Sequence, residues 1–152
     1  MLRVRRAGVN DIEEIVRLRV AFLREVQPDV SVSDDVIYQQ TRQYITDKLP
    51  TDEYPVWLAE EGNKIVGISS LVFYHRPPTL LNGSSLYAHI LNVYTLPEYR
   101  RQGIATALLK EIIEYVKSTP ANRISLNASE EGRPVYERLG FQASDDEMIL
   151  KL

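Results

Sequence analysis

The sequence predicts a single α/β domain, residues 1–152, built on one mixed β-sheet flanked by helices. Three observations carry that expectation. Apolar residues repeat with a period near two in some stretches and near 3.6 in others. These stretches follow the order strand, two helices, three mostly antiparallel strands, helix, strand, helix, strand, which gives an α/β sandwich. At 152 residues, with 44% apolar and 26% charged residues, the chain has the size and composition of one globular domain with a sizeable core.

Taken in order, residues 2–6 alternate Leu2 and Val4 with Arg3 and Arg5, a short strand with one buried face. Asn10 offers a helix cap with Glu13 three residues later, as in a capping box. The helix over 11–27 turns Ile12, Ile15, Val16, Leu23 and Val26 inward and stops at Pro28. Ser33 or Ser31 caps a second helix over 34–49, with Val36, Ile37, Tyr44 and Ile45 inward, closed by Pro50. A strand over 54–59, a turn at Glu60-Glu61-Gly62-Asn63-Lys64 and a return strand over 64–74 make a hairpin. Residues 75–85 are polar and aperiodic, a loop long enough to expect a functional role. Residues 87–95 form the next strand, 103–117 a helix stopped by Pro120, and 123–128 a strand. A short helix over 131–139 ends at Gly140 in a left-handed turn, and Phe141 and residues 147–152 finish as strands.

Composition excludes several classes of function. Without cysteine there is no disulfide, thiol nucleophile or thiolate metal site, and His75 and His89 alone do not make a metal cluster. A net charge of −3 argues against general nucleic-acid binding. No stretch approaches the ~20 apolar residues of a membrane span. The first residues lack an apolar signal core, so a cytoplasmic protein is expected.

One stretch organises the rest: Leu91-Asn92-Val93-Tyr94-Thr95-Leu96-Pro97-Glu98-Tyr99-Arg100-Arg101-Gln102-Gly103-Ile104-Ala105-Thr106. It runs from strand through a basic loop into a helix with Ile104, Leu108, Ile112 and Val116 on one face. The first amides of a helix lack internal partners and carry partial positive charge, so this junction is an anion site. Gly103 leaves the backbone open to a phosphate, Ala105 keeps the next turn small, and Arg100 and Arg101 add charge. A P-loop is excluded because Gly103 is not followed by Lys, and a dinucleotide fingerprint because two of its glycines are missing.

The string Arg100-Arg101-Gln102-Gly103-Ile104-Ala105 after a strand resembles the signature of the GCN5-related N-acetyltransferases, and the wider match from Thr95 is more specific still. The resemblance is strong from residue 54 onward and only architectural before it. It implies a sheet splayed between its fourth and fifth strands, with acetyl-coenzyme A in the split and no metal. Residues 100–106, that is Arg100, Arg101, Gln102, Gly103, Ile104, Ala105 and Thr106, would hold the pyrophosphate. Val93, Tyr94 and Thr95 would pair with the pantetheine arm, and an amide near Tyr94 or Thr95 would polarise the thioester carbonyl. In Tyr136-Glu137-Arg138-Leu139-Gly140-Phe141 the resemblance makes Tyr136 the proton donor to the departing thiolate. Asn127 would contact coenzyme A at the end of the fifth strand.

Histone-type members carry a glutamate base on the fourth strand. Here His89 stands at that position, and alternation puts it on one face with Leu91, Val93 and Thr95. His89 or a water takes the amine proton. Arg24, Glu25, Tyr38, Tyr44, Tyr74, His75 and Arg76 border the expected acceptor pocket. The implied activity is acetyl transfer to a primary amine, with a small-molecule acceptor favoured. The rivals are a non-catalytic acyl-coenzyme A sensor and an acetyltransferase of proteins or peptides. A homodimer is expected, with Met148-Ile149-Leu150 as an exposed edge.

Overall fold

In the computed structural model, which describes every residue except Leu81, Asn82 and Asp145, five strands form one open sheet in the order β1-β2-β3-β4-β5. β1 (Leu2–Arg6), β2 (Val56–Glu61), β3 (Lys64–His75) and β4 (Leu86–Thr95) pair antiparallel in succession, while β5 (Ile124–Leu126) lies parallel to β4. The helices are α1 (Ile12–Val26), α2 (Asp34–Lys48), α3 (Ile104–Lys117) and α4 (Arg133–Arg138).

Alternation along the strands feeds two separate cores. Trp57, Ala59, Leu71 and Ile90 pack against Ile104, Leu108, Leu109, Ile112 and Val116 of α3. On the opposite face Val56, Leu58, Ile68 and Tyr94 pack against Ile15, Val16 and Leu18 of α1 and Ile45 of α2. Gly67 sets the spacing on the α3 face: a Cβ there would lie 2.8 Å from Ile104 Cγ2 and 3.3 Å from Leu108 Cδ1.

Four expectations are corrected. The two-residue period fails in β4, where Ile68 opposes Tyr94 but Ser70 opposes Leu91, so β4 carries one extra residue. Asn92, at φ 59°, takes the left-handed conformation that asparagine tolerates. Leu91 therefore packs toward α1 and α2, whereas Val93 turns to the α3 core and Thr95 opposes Gly67 beneath α3. His89, Leu91, Val93 and Thr95 do not share a face.

The cap of α1 is Asp11, not Asn10. Its carboxylate accepts the Gly8 N–H at 2.8 Å and the Arg5 Nη1 and Nη2 donors at 2.9 and 2.8 Å, so an ion pair with β1 holds the helix start one residue on. On α2 the Ser33 hydroxyl does accept the Val36 N–H, but Val36 and Tyr44 lie at the surface, as does Val26 of α1. The C-terminal strands are absent among the described residues. Phe141 packs on Tyr136 instead, with ring centroids 6.1 Å apart, and residues 147–152 pair with nothing. A strand's amides need a partner strand, and the tail reaches neither edge of the sheet.

Candidate active site

β4 and β5 pair over three steps only: Ala88 with Ile124, His89 with Ser125, Ile90 with Leu126. β4 then runs on through 91–95 with no β5 neighbour, so the sheet opens beyond Ile90. The bulge at Asn92 falls in this opened stretch. The Asn92 amide and the Ser69 hydroxyl, opposed across the bulge, are buried without a hydrogen-bond partner among the described residues. Such groups cost about 1–3 kcal/mol each, so the bulge is a feature that the rest of the fold must hold in place.

At the open end the chain makes a short turn, Pro97–Tyr99, anchored by the Leu96 N–H on the Val66 carbonyl at 2.9 Å. Arg101 and Gly103 both have positive φ, 63° and 81°. The first helical bond of α3 runs from the Ala107 N–H to the Gly103 carbonyl at 3.0 Å. The amides of Ile104, Ala105 and Thr106 precede it and lack helical acceptors. A Cβ built on Gly103 meets nothing within 4 Å, so the space before these amides is open. Open backbone donors at the positive end of a 14-residue helix fit a diphosphate.

Arg100 makes contacts within the chain. Its Nε donates to the Thr95 carbonyl at 2.9 Å, its Nη2 to Glu25 at 2.8 Å, and its guanidinium lies over the Tyr94 ring. It ties the loop to β4 and α1, and its charge holds the Glu25 carboxyl below the usual carboxylate range. Arg101, Gln102 and Gly103 stay exposed.

Tyr136 sits on α4 with its ring buried in the α3-side core. A Cβ at Gly132 would lie 2.9 Å from that ring, so the glycine makes room for it. Burial raises the phenol above its ordinary pKa of 10.0, so the hydroxyl keeps its proton at neutral pH.

His89 is half-buried, with Nδ1 2.7 Å from Ser125 Oγ across the last paired step of the split. Burial lowers its pKa below 6.5, against a weaker opposing pull from Glu147, and the ring is neutral at pH 7. When Nδ1–H donates to Ser125, the Nε2 lone pair is free to take a proton. Asn127 follows β5 directly and is exposed.

Of the expected acceptor-side residues, Glu25 is engaged by Arg100, and Arg24 by Asp34 and the carbonyls of Val30 and Val32. Tyr74 stacks on Tyr87, and Arg76 lies over the same ring. Tyr44 meets Tyr54 edge to face. His75 Nδ1 lies 3.4 Å from Ser85 Oγ. Sequence reasoning missed Ser125, Asn92 and the role of Glu25. Only Asn92 left a local signal, an asparagine inside an apolar strand.

The family model of the acetyltransferase (GNAT) domain matches residues 24–151. The chain belongs to that family. By family it is an acetyltransferase, and no group of residues suited to a metal occurs among the described ones. A crystal structure of a predicted acetyltransferase with acetyl-CoA from Clostridium acetobutylicum superposes with a TM-score of 0.90 at 32% identity, over 99% of this chain and 96% of that one. A glucosamine 6-phosphate N-acetyltransferase of Trypanosoma brucei brucei is 33% identical over 97 residues, which span 64% of each protein. An N-alpha-acetyltransferase of Sulfurisphaera tokodaii is 25% identical over 92% of this chain and 80% of its own length. The GNAT description fits the open sheet and the loop before α3. No helix of the described residues is long and apolar enough to cross a membrane.

Proposed function

We propose that this GNAT protein moves an acetyl group from acetyl-coenzyme A to a primary amine by direct attack, with a small-molecule acceptor. The observation that carries the reading is the run of amides at Ile104, Ala105 and Thr106 without helical acceptors, behind exposed Arg101, Gln102 and Gly103 where the sheet opens between β4 and β5. Acetyl-coenzyme A, when bound, supplies the acetyl group as a reactive thioester.

The chain's residues divide the remaining work. Arg101, Gln102, Gly103 and the amides of Ile104, Ala105 and Thr106 hold the diphosphate, and Arg100 fixes their loop. The backbone of Val93, Tyr94 and Thr95 pairs with the pantetheine arm, and an amide at Tyr94 or Thr95 polarises the carbonyl. Asn127 borders the arm from β5. As the new C–N bond forms and the C–S bond breaks, the amine gives up one proton and the thiolate gains one. His89 Nε2, or a water, takes the first, and the Tyr136 hydroxyl gives the second.

A small acceptor is supported by the 33% identity over 97 residues to an enzyme named for glucosamine 6-phosphate, against 25% over 153 residues to an N-alpha-acetyltransferase. The reading places the enzyme in the cytoplasm as a homodimer. An acetyl-coenzyme A-dependent screen of amines, amino sugars and peptides, read as released thiol, tests it. Turnover of a small amine supports the reading. Turnover of peptides alone replaces the acceptor, and tight coenzyme A binding with no thiol release from any acceptor favours a sensor.

A further inference from the structure

Partly buried cations in this chain come with an acid, and Arg19 of α1 is the exception among the described residues. Arg5, Arg24, Arg42, Lys48 and Arg100 are partly buried like Arg19, and each is bonded to a carboxylate. Arg19 has neither a carboxylate nor a hydrogen bond among the described residues. Its guanidinium carbon lies 5.9 Å from the centre of the Phe22 ring, at the outer limit of a cation–π contact. That contact steadies the side chain without matching its charge. Withdrawing a charge from water without a counter-charge is costly, so the position calls for an anion from outside the chain. Its place in the fold says which one. Phe22, one turn on from Arg19, meets Tyr94 edge to face with ring centroids 6.1 Å apart. Burial raises the Tyr54 phenol, and its bond to Ser70 and the charge of Arg19 oppose that rise, so the guanidinium lies within electrostatic reach of Tyr54. The Tyr54 hydroxyl donates to Ser70 Oγ at 3.1 Å, and Ser70 opposes Leu91. Arg19 therefore stands over residues 91–94, the opened stretch of β4, on the face of the sheet away from α3. Glu25, three residues beyond Phe22, is held by Arg100 at 2.8 Å and leaves Arg19 unmatched.

We propose that Arg19 receives an anionic group on the acceptor, so that the substrate is an amine that also carries a phosphate or a carboxylate. The inference rests on the acyl-transfer reading and deepens it. The diphosphate of coenzyme A is assigned to the amides at the head of α3, whereas Arg19 belongs to the α1 face. Two anions thus meet separate positive groups and do not compete for one. Arginine suits the task, because its planar fork makes paired hydrogen bonds to phosphate or carboxylate oxygens. It also discriminates. An amine without the anion covers the guanidinium, strips it of water and leaves it unpaired, which a site of this kind penalises heavily.

Matched acceptors test it: glucosamine 6-phosphate against glucosamine, and γ-aminobutyrate against butylamine, read as thiol released from saturating acetyl-coenzyme A. The parent should prefer the anionic member of at least one pair, and the pair it discriminates tells phosphate from carboxylate. Arg19→Gln should lower kcat/KM for that member by ~10–100-fold, the usual effect of losing a hydrogen bond to a charged group, and leave the neutral member unchanged. Arg19→Lys should restore part of the loss. Unfolding separates this role from a structural one. Arg19→Gln removes a charge that the fold does not match, so its denaturation midpoint should equal or exceed the parent's, whereas loss of a structural arginine would lower it. Arg19→Met, which keeps the apolar stem on Phe22, repeats the test should Arg19→Gln fail to fold. Calorimetric titration of the coenzyme A-bound protein with glucosamine 6-phosphate and with γ-aminobutyrate reads the site without turnover. Anion binding that Arg19→Gln abolishes, with no thiol released from any acceptor, supports the anion site and sinks the acyl-transfer reading. Equal turnover of both members of each pair, or an anion preference that survives Arg19→Gln, overturns the inference and spares that reading. Calorimetry that detects neither anion also overturns it.

Discussion

Helices α3 and α2, on opposite faces of the sheet, are held by different physics. On the α3 face, Ile104, Leu108, Leu109, Ile112 and Val116 are at most 3% exposed and interdigitate with the strands around Gly67. On the other face α2 buries a single residue of its own, Ile45, and leans on exposed ion pairs such as Arg42–Glu13 at 2.7 Å and Lys48–Glu53 at 2.8 Å. Close packing fixes position to fractions of an ångström, whereas exposed ion pairs are screened and weak. The helix that follows the loop at 97–103 is therefore rigidly placed. The face that would meet the acceptor can change its surface without disturbing the other.

Four substitutions sharpen that contrast, beginning with the most damaging. Gly103→Val should abolish coenzyme A binding in a chain that still folds. Its Cβ enters the open space before the amides, and φ 81° is a conformation that costs an L-residue about 1–2 kcal/mol. Calorimetry showing parental affinity would remove the loop from the site. Tyr136→Phe should lower kcat by ~10²–10⁴-fold where chemistry limits turnover, with coenzyme A affinity kept. Because burial raises the phenol pKa, any alkaline limb due to it lies above pH 10 in the parent and vanishes in the variant. Single-turnover rates within about threefold of the parent, well under the usual worth of an acid, would reassign the proton.

Leu108→Ala tests rigidity itself. Emptying this fully buried site on the α3 face should cost about 2–5 kcal/mol in denaturant unfolding. Its counterpart on the other face, Arg42→Ala, should leave the unfolding midpoint where it was. Equal losses would erase the distinction between the two helices. His89→Gln should have the smallest catalytic effect, since water also accepts the proton. The fold favours neutral His89, so that contribution to stability is complete above pH 6.5 and fades as pH falls through the lowered folded pKa. The parent's activity should fall on the same acid side, below pH 6.5, and the variant should lose that limb. A pH–rate profile unchanged by His89→Gln would leave water as the base.

The loop before α3 and α3 itself were legible in the sequence because they rest on local rules. A glycine at positive φ, small residues at a helix start and a 3.6-residue apolar period are all written within twenty residues. What the sequence did not show was non-local or broke a period. Arg100 meets Glu25, 75 residues away, so no local pattern shows that its charge is already matched. Arg5 reaches from β1 to Asp11 and shifts the cap of α1. A two-residue alternation cannot be carried through Asn92, since one left-handed residue exchanges the faces of everything after it. The tail at 147–152 does have the composition of a strand. Strand structure, however, belongs to a pair, and the sequence of one chain does not say where the partner lies.

Gly67 has a reach that its size conceals. The depth at which α3 rests on the sheet is set by an atom that is not there, and Ile104, the first residue of the helix, occupies the vacated space. The same residue carries one of the amides assigned to the diphosphate. Any side chain at Gly67 would act as a shim beneath the helix start and lift the anion cradle away from the mouth of the split. On the proposed function, cofactor affinity is thus tunable from the buried side of the sheet.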